Sequence, residues 1–250
     1  MRWNISSARR VCTVVDSHGP SASVPFRKPS KMQMAVKSPL PLIGYLSWFY
    51  LAWASVWVYS VYPWATRTIG DATLVYALIN IAFRLLIWVL PVFLFLRYID
   101  HVNVLEYLQL KQYWKRGVIV GVTASVINFL GTLVRIGQPD WGSAHVTWNS
   151  IVGTSILVGV FEEVPFRGFV LQKLQERFDF VTSTVISSIL FVGAHLPGWI
   201  MLGSLTASKV FYIFVFGAVM AIIFRYSKSL WAPIITHSLN DCLSFVIFHI

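Results

Sequence analysis

From Leu40 onward the chain is a succession of apolar segments, each close to the length that crosses a lipid bilayer, and this excludes most folds open to a soluble protein. Hydrocarbon about 30 Å thick takes roughly 20 helical residues at a rise of about 1.5 Å each. Seven segments qualify by eye, roughly Leu40 to Tyr62, Ala72 to Leu96, Val118 to Val134, Trp148 to Leu171, Val181 to Met201, Val210 to Tyr226 and Leu230 to Ile250. In a chain of 250 residues they leave no room for a large soluble domain. Charged residues make up only 12% of it, against about 25% in an ordinary soluble domain. Segments of this length suit helices, which bond their own backbone polar groups in lipid, so the expected fold is all-α, a polytopic membrane helical bundle of about seven transmembrane helices. Loops are expected at Pro63, at Gly70 and Asp71, along the polar run from Asp100 to Arg116, and at Gln138, Pro139 and Asp140. No internal repeat is visible.

Twenty Lys and Arg face ten Asp and Glu. In a soluble protein that excess suggests nucleic acid; here it sorts by loop. One side holds the tail with Arg2, Arg9, Arg10, Arg27, Lys28, Lys31 and Lys37, then Arg97, Lys111, Lys115, Arg116, Lys173, Arg177, Arg225 and Lys228. The other holds Arg67, Arg135 and Lys209. Basic residues near span ends favour the cytoplasm, so the N-terminus is expected inside and the C-terminus outside, with the lipid bilayer as partner and no nucleic acid. Trp64, Trp141, Trp148 and Trp231 near segment ends suit interfacial anchoring. Residues 1–37 read as a flexible basic tail and 38–250 as the transmembrane domain; a start at Met32 or Met34, or a transit peptide, are the other readings of the tail. Cys12 and Cys242 are too few and too ill-matched for a disulfide framework.

Charge inside hydrocarbon is costly and is normally paired, faces a polar cavity, or does a job. Seven residues carry that question: Arg84, Glu162, Glu163, Arg167, His195, His237 and Asp241. Arg84 alone reads as a packing or snorkelling residue. The remaining carboxylates and imidazoles come from three segments at comparable depth. At about 1.5 Å per residue from the cytoplasmic ends, Glu162 and Glu163 lie roughly 15 Å in, His237 about 14 Å, Asp241 about 20 Å and His195 about 24 Å. Glu163 and Arg167 stand at i, i+4, as do His237 and Asp241, so each pair can meet on one helix face. Arg167 can hold Glu163 ionised, as a packing device or as part of a chemical site, and Asp241 can fix the tautomer of His237. Glu162 points about 100° away from Glu163. A second carboxylate in hydrocarbon has no cheap structural explanation. Pro165 should loosen its helix, and Leu196, Pro197 and Gly198 should end or break the fifth helix just after His195.

Glu162, Glu163, Val164, Pro165, Phe166, Arg167 reads as an EExxxR motif, Phe191 to His195 as FxxxH, and His237 to Asp241 as HxxxN or HxxxD. In that order, each on an apolar segment, they resemble the CAAX protease and bacteriocin-processing (CPBP, or Abi) family of intramembrane endopeptidases. The resemblance covers roughly residues 148–250, the expected catalytic core. It implies a cavity opening to the cytoplasm and hydrolysis of a peptide bond in a membrane-associated or lipidated substrate. By the same resemblance Glu162 is the base that activates water and His195 its principal partner. Glu163 and Arg167 support them, and His237 with Asp241 orients or stabilises the oxyanion. Asp241 stands where many relatives have Asn; an anionic Asp is a poor oxyanion donor, and Asn240 is a substitute on a neighbouring face. Two histidines and three carboxylates are also donor types for Zn²⁺, and the family has been interpreted both with and without metal. The expected location is a bacterial cell membrane.

Other intramembrane protease types are disfavoured, since the chain lacks HExxH, GxSG and paired aspartates of the presenilin kind. Two other functions compete: a non-catalytic bacteriocin-immunity or partner-binding membrane protein that keeps the site for structure, and an ion-coupled transporter, against which the missing repeat counts.

Overall fold

The structure, a computed structural model, describes residues 38–59, 61–70, 72–137 and 146–244. Among the described residues every regular element is helical. In chain order they are α1 (Leu40–Val58), α2 (Val61–Ile69), α3 (Leu74–Arg84), α4 (Leu90–Leu94), α5 (Val104–Tyr107), α6 (Trp114–Ile136), α7 (Val158–Glu163), α8 (Gln172–Gln175), α9 (Phe180–Met201), α10 (Ala207–Ser227) and α11 (Trp231–Asp241). Wider π turns join several of them, at Leu85–Val89, Phe95–Ile99, Asn149–Ile156 and Val164–Leu171. The predicted tail, Cys12, Trp141 and the turn at Gln138, Pro139 and Asp140 fall outside the described residues.

Five of these helical rods are long and apolar enough to cross a bilayer: Leu40–Val58, Leu74–Ile99, Trp114–Arg135, Phe180–Met201 and Ala207–Ser227. The protein is therefore a multi-pass, all-α membrane protein. Large apolar side chains such as Leu51, Val134, Val181 and Phe211 point outward, exposed on the surface of the bundle as lipid contact requires. Two of the seven segments read from the sequence stand apart from this set. The fourth runs helically from Asn149 to Gln175 but carries Glu162, Glu163 and Arg167. The seventh is described as helix over the eleven residues of α11.

Polar caps fix the ends of the rods. Asp179 Oδ1 accepts from the Val181 and Thr182 amides at 2.8 and 3.0 Å and starts α9. The Thr182 hydroxyl and these amides hold the Asp179 carboxyl below its usual pKa. Thr73 and Thr206 begin α3 and α10 in the same way. At one end of the bundle Lys173 is buried between Asp100 (2.6 Å) and Glu176 (2.8 Å), with the Tyr107 ring 5.2 Å away. Burial and these two anions raise the Tyr107 phenol far above its ordinary pKa.

Prolines shape the rods in three ways. Pro91 has no N–H for the Ile87 carbonyl, and the helix before it opens into the π turn Leu85–Val89. Pro165 deprives the Phe161 carbonyl in the same way, and the chain passes from α7 into the π turn Val164–Leu171. Pro197 behaves differently: the predicted break after His195 does not occur, and α9 continues to Met201. Donors from α1 serve carbonyls in the turns before the proline. Trp53 Nε1 donates to the Ala194 carbonyl at 2.8 Å and the Tyr50 hydroxyl to that of Leu190 at 2.5 Å. The carbonyl that Pro197 leaves without a helical donor is that of Gly193, and these bonds to its neighbours tie the same stretch of α9 to α1. Pro63 likewise does not mark a loop. It sits in the first turn of α2, where its missing N–H would have no helical partner in any case.

An aromatic core holds α1, α9 and the π turns together. Phe49 and Trp53 meet Trp88 edge-on at 5.0 Å, and Phe166 meets Phe191 at 5.0 Å. α11 packs against α6 and α7, and α9 against α10 and α1. Gly159 makes the α7–α11 approach possible, because a Cβ there would overlap the Ile234 carbonyl and the Ser238 hydroxyl. Ser238 also donates to the Ile156 carbonyl at 2.8 Å, which fixes the height of α11 against α7.

Candidate active site

Glu162 and Glu163 are the last two residues of α7, and both side chains are buried. Their positions a third of a turn apart send them to different partners. Glu163 Oε1 accepts from Arg167 Nη1 at 3.0 Å and from His237 Nδ1 at 2.6 Å. The predicted i, i+4 pair therefore forms, and it reaches a third element. Arg167 is almost wholly buried, donates its other terminal nitrogen to the Gly217 carbonyl at 3.0 Å, and lies 4.3 Å above the Phe191 ring. Gly217 permits this, since a Cβ there would stand 3.3 Å from Arg167 Nη2 and 3.1 Å from Ser188 Oγ.

Glu162 faces the other way. Its Oε1 accepts from Arg84 Nη1 at 3.3 Å. Its Oε2 has no hydrogen-bond donor, and lies 3.7 Å from His195 Nε2 and 3.8 Å from His237 Nε2. The structure thus brings Glu162 and His195 together across two helices.

Both imidazole tautomers follow from their far nitrogens. His195 Nδ1 is 2.9 Å from the Phe191 carbonyl, which can only accept, so Nδ1 carries the proton. His237 Nδ1 faces the Glu163 carboxylate held by Arg167 and likewise donates. In the neutral rings both Nε2 atoms then present lone pairs, and so does Glu162 Oε2. Three acceptors converge with no donor among them, an arrangement that calls for a proton, a water or a cation between them. Aromatic rings surround it: Phe191 and Trp199 lie 4.8 and 5.4 Å from His195, and Phe216 lies 4.8 Å from His237. The His195 side chain is 22% exposed and that of Asp241 18%, against 7% for Glu162, so the cluster opens on their side. A cleft of about 410 Å³ between α6, α10 and α11, lined in part by Asn128, Tyr212, Phe216 and Asn240, adjoins it.

Three expectations change. Asp241 Oδ2 is 4.0 Å from His237 Nε2, so Glu163 and not Asp241 fixes the His237 tautomer. The i, i+4 spacing puts Asp241 near the ring, but it encodes nothing of the closer carboxylate that α7 brings. Asn240 turns away from the cluster: its amide donates to Asp241 Oδ1 at 3.1 Å and its oxygen accepts from Asn128 at 3.0 Å. Arg84, read as packing or snorkelling, is bonded to Glu162 instead. The charge count carried the missed signal, since two cations and two adjacent glutamates lie in the second and fourth apolar segments, and Arg167 can serve only one.

Among the described residues no group of three or more His, Cys, Asp and Glu side chains is gathered closely enough to hold a metal ion. A family model described as "Type II CAAX prenyl endopeptidase Rce1-like" matches residues 144–243, a stretch that includes both glutamates, Arg167, both histidines and Asp241. No curated protein and no solved structure matches the chain. Over residues 144–243 the chain is similar to this family of CAAX endopeptidases.

Proposed function

We propose that the protein is an intramembrane endopeptidase that hydrolyses a peptide bond of a membrane-associated, lipidated substrate with a water held between Glu162, His195 and His237. The observation that carries this reading is the convergence of Glu162 Oε2 with two imidazole Nε2 atoms, none of them given a donor by the protein. A water fits that demand, with one O–H on the carboxylate and the other on His195. Glu162 takes the first proton as the water oxygen bonds to the scissile carbonyl carbon. As the C–N bond breaks, the same proton passes to the leaving amine. His237, seated on Glu163 and near Asp241, is the donor available to the oxyanion once it is protonated. Glu163 and Arg167 hold that ring in place. Zinc would suit the same donors by type, Glu162, His195 and His237, if they drew together, and would polarise the water there.

The substrate class rests on the family description, which names prenyl endopeptidases. It fits a site within apolar rods, which a lipid-anchored peptide reaches from the bilayer. In this reading the fourth segment and α11 join the five long helices to make seven spans, with the N-terminus cytoplasmic. The test compares membrane proteomes of cells carrying the parent or the His195→Ala form, followed by cleavage of a prenylated peptide by purified protein in vesicles. Fragments that vanish with His195→Ala, and a peptide cut by the parent alone, support the proposal. Equal cleavage by both forms contradicts it.

A second reading has its own support. Glu163, Arg167 and His237 partner one another without any substrate, as they would in a non-catalytic immunity or partner-binding protein. That reading predicts that Glu162→Ala leaves protection or binding intact.

A further inference from the structure

Arg84 is the only charged residue in the second apolar segment, and it lies on the rim of the site without any part in the chemistry described above. It is held on several sides. Its Nε donates to Asn80 Oδ1 at 3.2 Å, one turn earlier on the same face of α3. The Asn80 amide in turn donates to Asn149 Oδ1 at 2.7 Å, on the π turn that leads into α7. Gly153 leaves space for this amide pair, since a Cβ there would lie 2.6 Å from Asn149 Oδ1 and 3.2 Å from Asn80 Nδ2. The guanidinium carbon is 5.9 Å from the Trp53 and Trp88 rings and 6.0 Å from that of Phe161. Three rings and an amide chain therefore surround a group whose Nη1 meets Glu162 Oε1.

We propose that Arg84 is a positioning residue for Glu162: it anchors Oε1, and so leaves Oε2 as the oxygen turned to the two imidazoles. A carboxylate in an apolar bundle needs a cation nearby to stay ionised, and Arg167 is already bonded to Glu163 and the Gly217 carbonyl. A carboxylate free to turn about its last bonds would present either oxygen to the water. Fixing one oxygen removes that freedom before the substrate arrives, and orientation of this kind is a recognised source of rate. Asn80 and Asn149 fix Arg84 in turn, which couples the fourth segment to the second through hydrogen bonds and not through packing alone.

The inference rests on Glu162 being the base, so its test has a readout independent of cleavage. Melting temperatures are measured for the full chain in lipid nanodiscs with Arg84→Met, Glu162→Gln and both changes. Arg84→Met alone should melt lower than the parent, and adding Glu162→Gln should recover most of the loss, because the uncompensated carboxylate is gone. In the cleavage assay Arg84→Met should lower kcat by about 10²-fold with KM little changed, and Arg84→Lys should restore part of it. Asn80→Ala keeps both charges and serves if Arg84→Met fails to fold; it should lower kcat by about tenfold with a smaller drop in melting temperature than Arg84→Met. Unchanged kcat in these variants, or melting effects that simply add, overturn the proposal. A parent that cuts no membrane peptide while the melting effects remain coupled defeats the peptidase reading and leaves Arg84 a structural ion pair, which overturns the positioning role as well.

Discussion

The two glutamates at the end of α7 are sequence neighbours with opposite surroundings. Glu163 receives two donors on one oxygen, from Arg167 and His237, and is buried completely. Glu162 receives one donor on Oε1, while its other oxygen meets the lone pairs of two imidazoles near the more exposed edge of the cluster. The first arrangement leaves Oε2 buried without a donor, but through Oε1 it holds three elements together. The second turns its undonated oxygen toward two imidazoles, where the cluster opens. Adjacent identical residues are therefore turned to different partners, and the division is set by which helix faces each third of a turn.

Removing the carboxylate at each position should separate the two roles. Glu163→Ala leaves Arg167 and His237 buried and without their shared anion, and breaking a buried pair from one side costs about 3–5 kcal/mol. The expected result is a sharp drop in melting temperature and in recovered folded protein, whereas Glu162→Gln should melt close to the parent because its amide oxygen can still accept from Arg84. Similar losses from both would erase the distinction. The histidines sharpen it further. His237 touches both carboxylates, so His237→Ala should lose activity and also about 1–3 kcal/mol of stability, from the donor removed from Glu163. His195→Ala should lose activity with a smaller change in melting, since its bond is to a backbone carbonyl of its own helix.

The sequence made part of this legible. Hydrophobic segments gave the membrane class, and motif spacing gave the six side chains that the fold draws into one region. The Glu163–Arg167 pair followed from helix geometry, because both lie on one element. Partners from other elements did not follow: Arg84 on Glu162 and Glu163 on His237 depend on how α3, α7 and α11 turn toward one another, which no local pattern encodes. Proline effects were misjudged for a similar reason. Pro197 looks like a helix end, yet α9 continues to Met201 and is tied to α1 by the Trp53 and Tyr50 donors.

Trp53→Phe keeps an aromatic side chain but removes the donor to the Ala194 carbonyl; it should cost about 1 kcal/mol for the lost bond, besides the smaller ring, and raise amide exchange in α9 around His195. An unchanged exchange rate would mean that this bond does not hold α9 near His195. Smallest is the effect at Asp179, far from either glutamate. Its folded pKa is held below the unfolded value, so its stabilisation is complete above an unfolded pKa of about 3.9 and is lost as pH falls through the folded value. Exchange at the start of α9 should therefore rise on acidification below about pH 4, and Asp179→Asn, which keeps a capping oxygen, should flatten that dependence.

The account turns on one oxygen, Glu162 Oε2, acting as the base toward a water that the imidazoles hold. The most direct test is the turnover rate of a prenylated peptide by the parent and by Glu162→Gln, both purified in the same vesicles and both shown to be folded. Loss of about 10³-fold or more in kcat, at unchanged melting temperature, is the predicted result. Turnover by Glu162→Gln within a few-fold of the parent would contradict it.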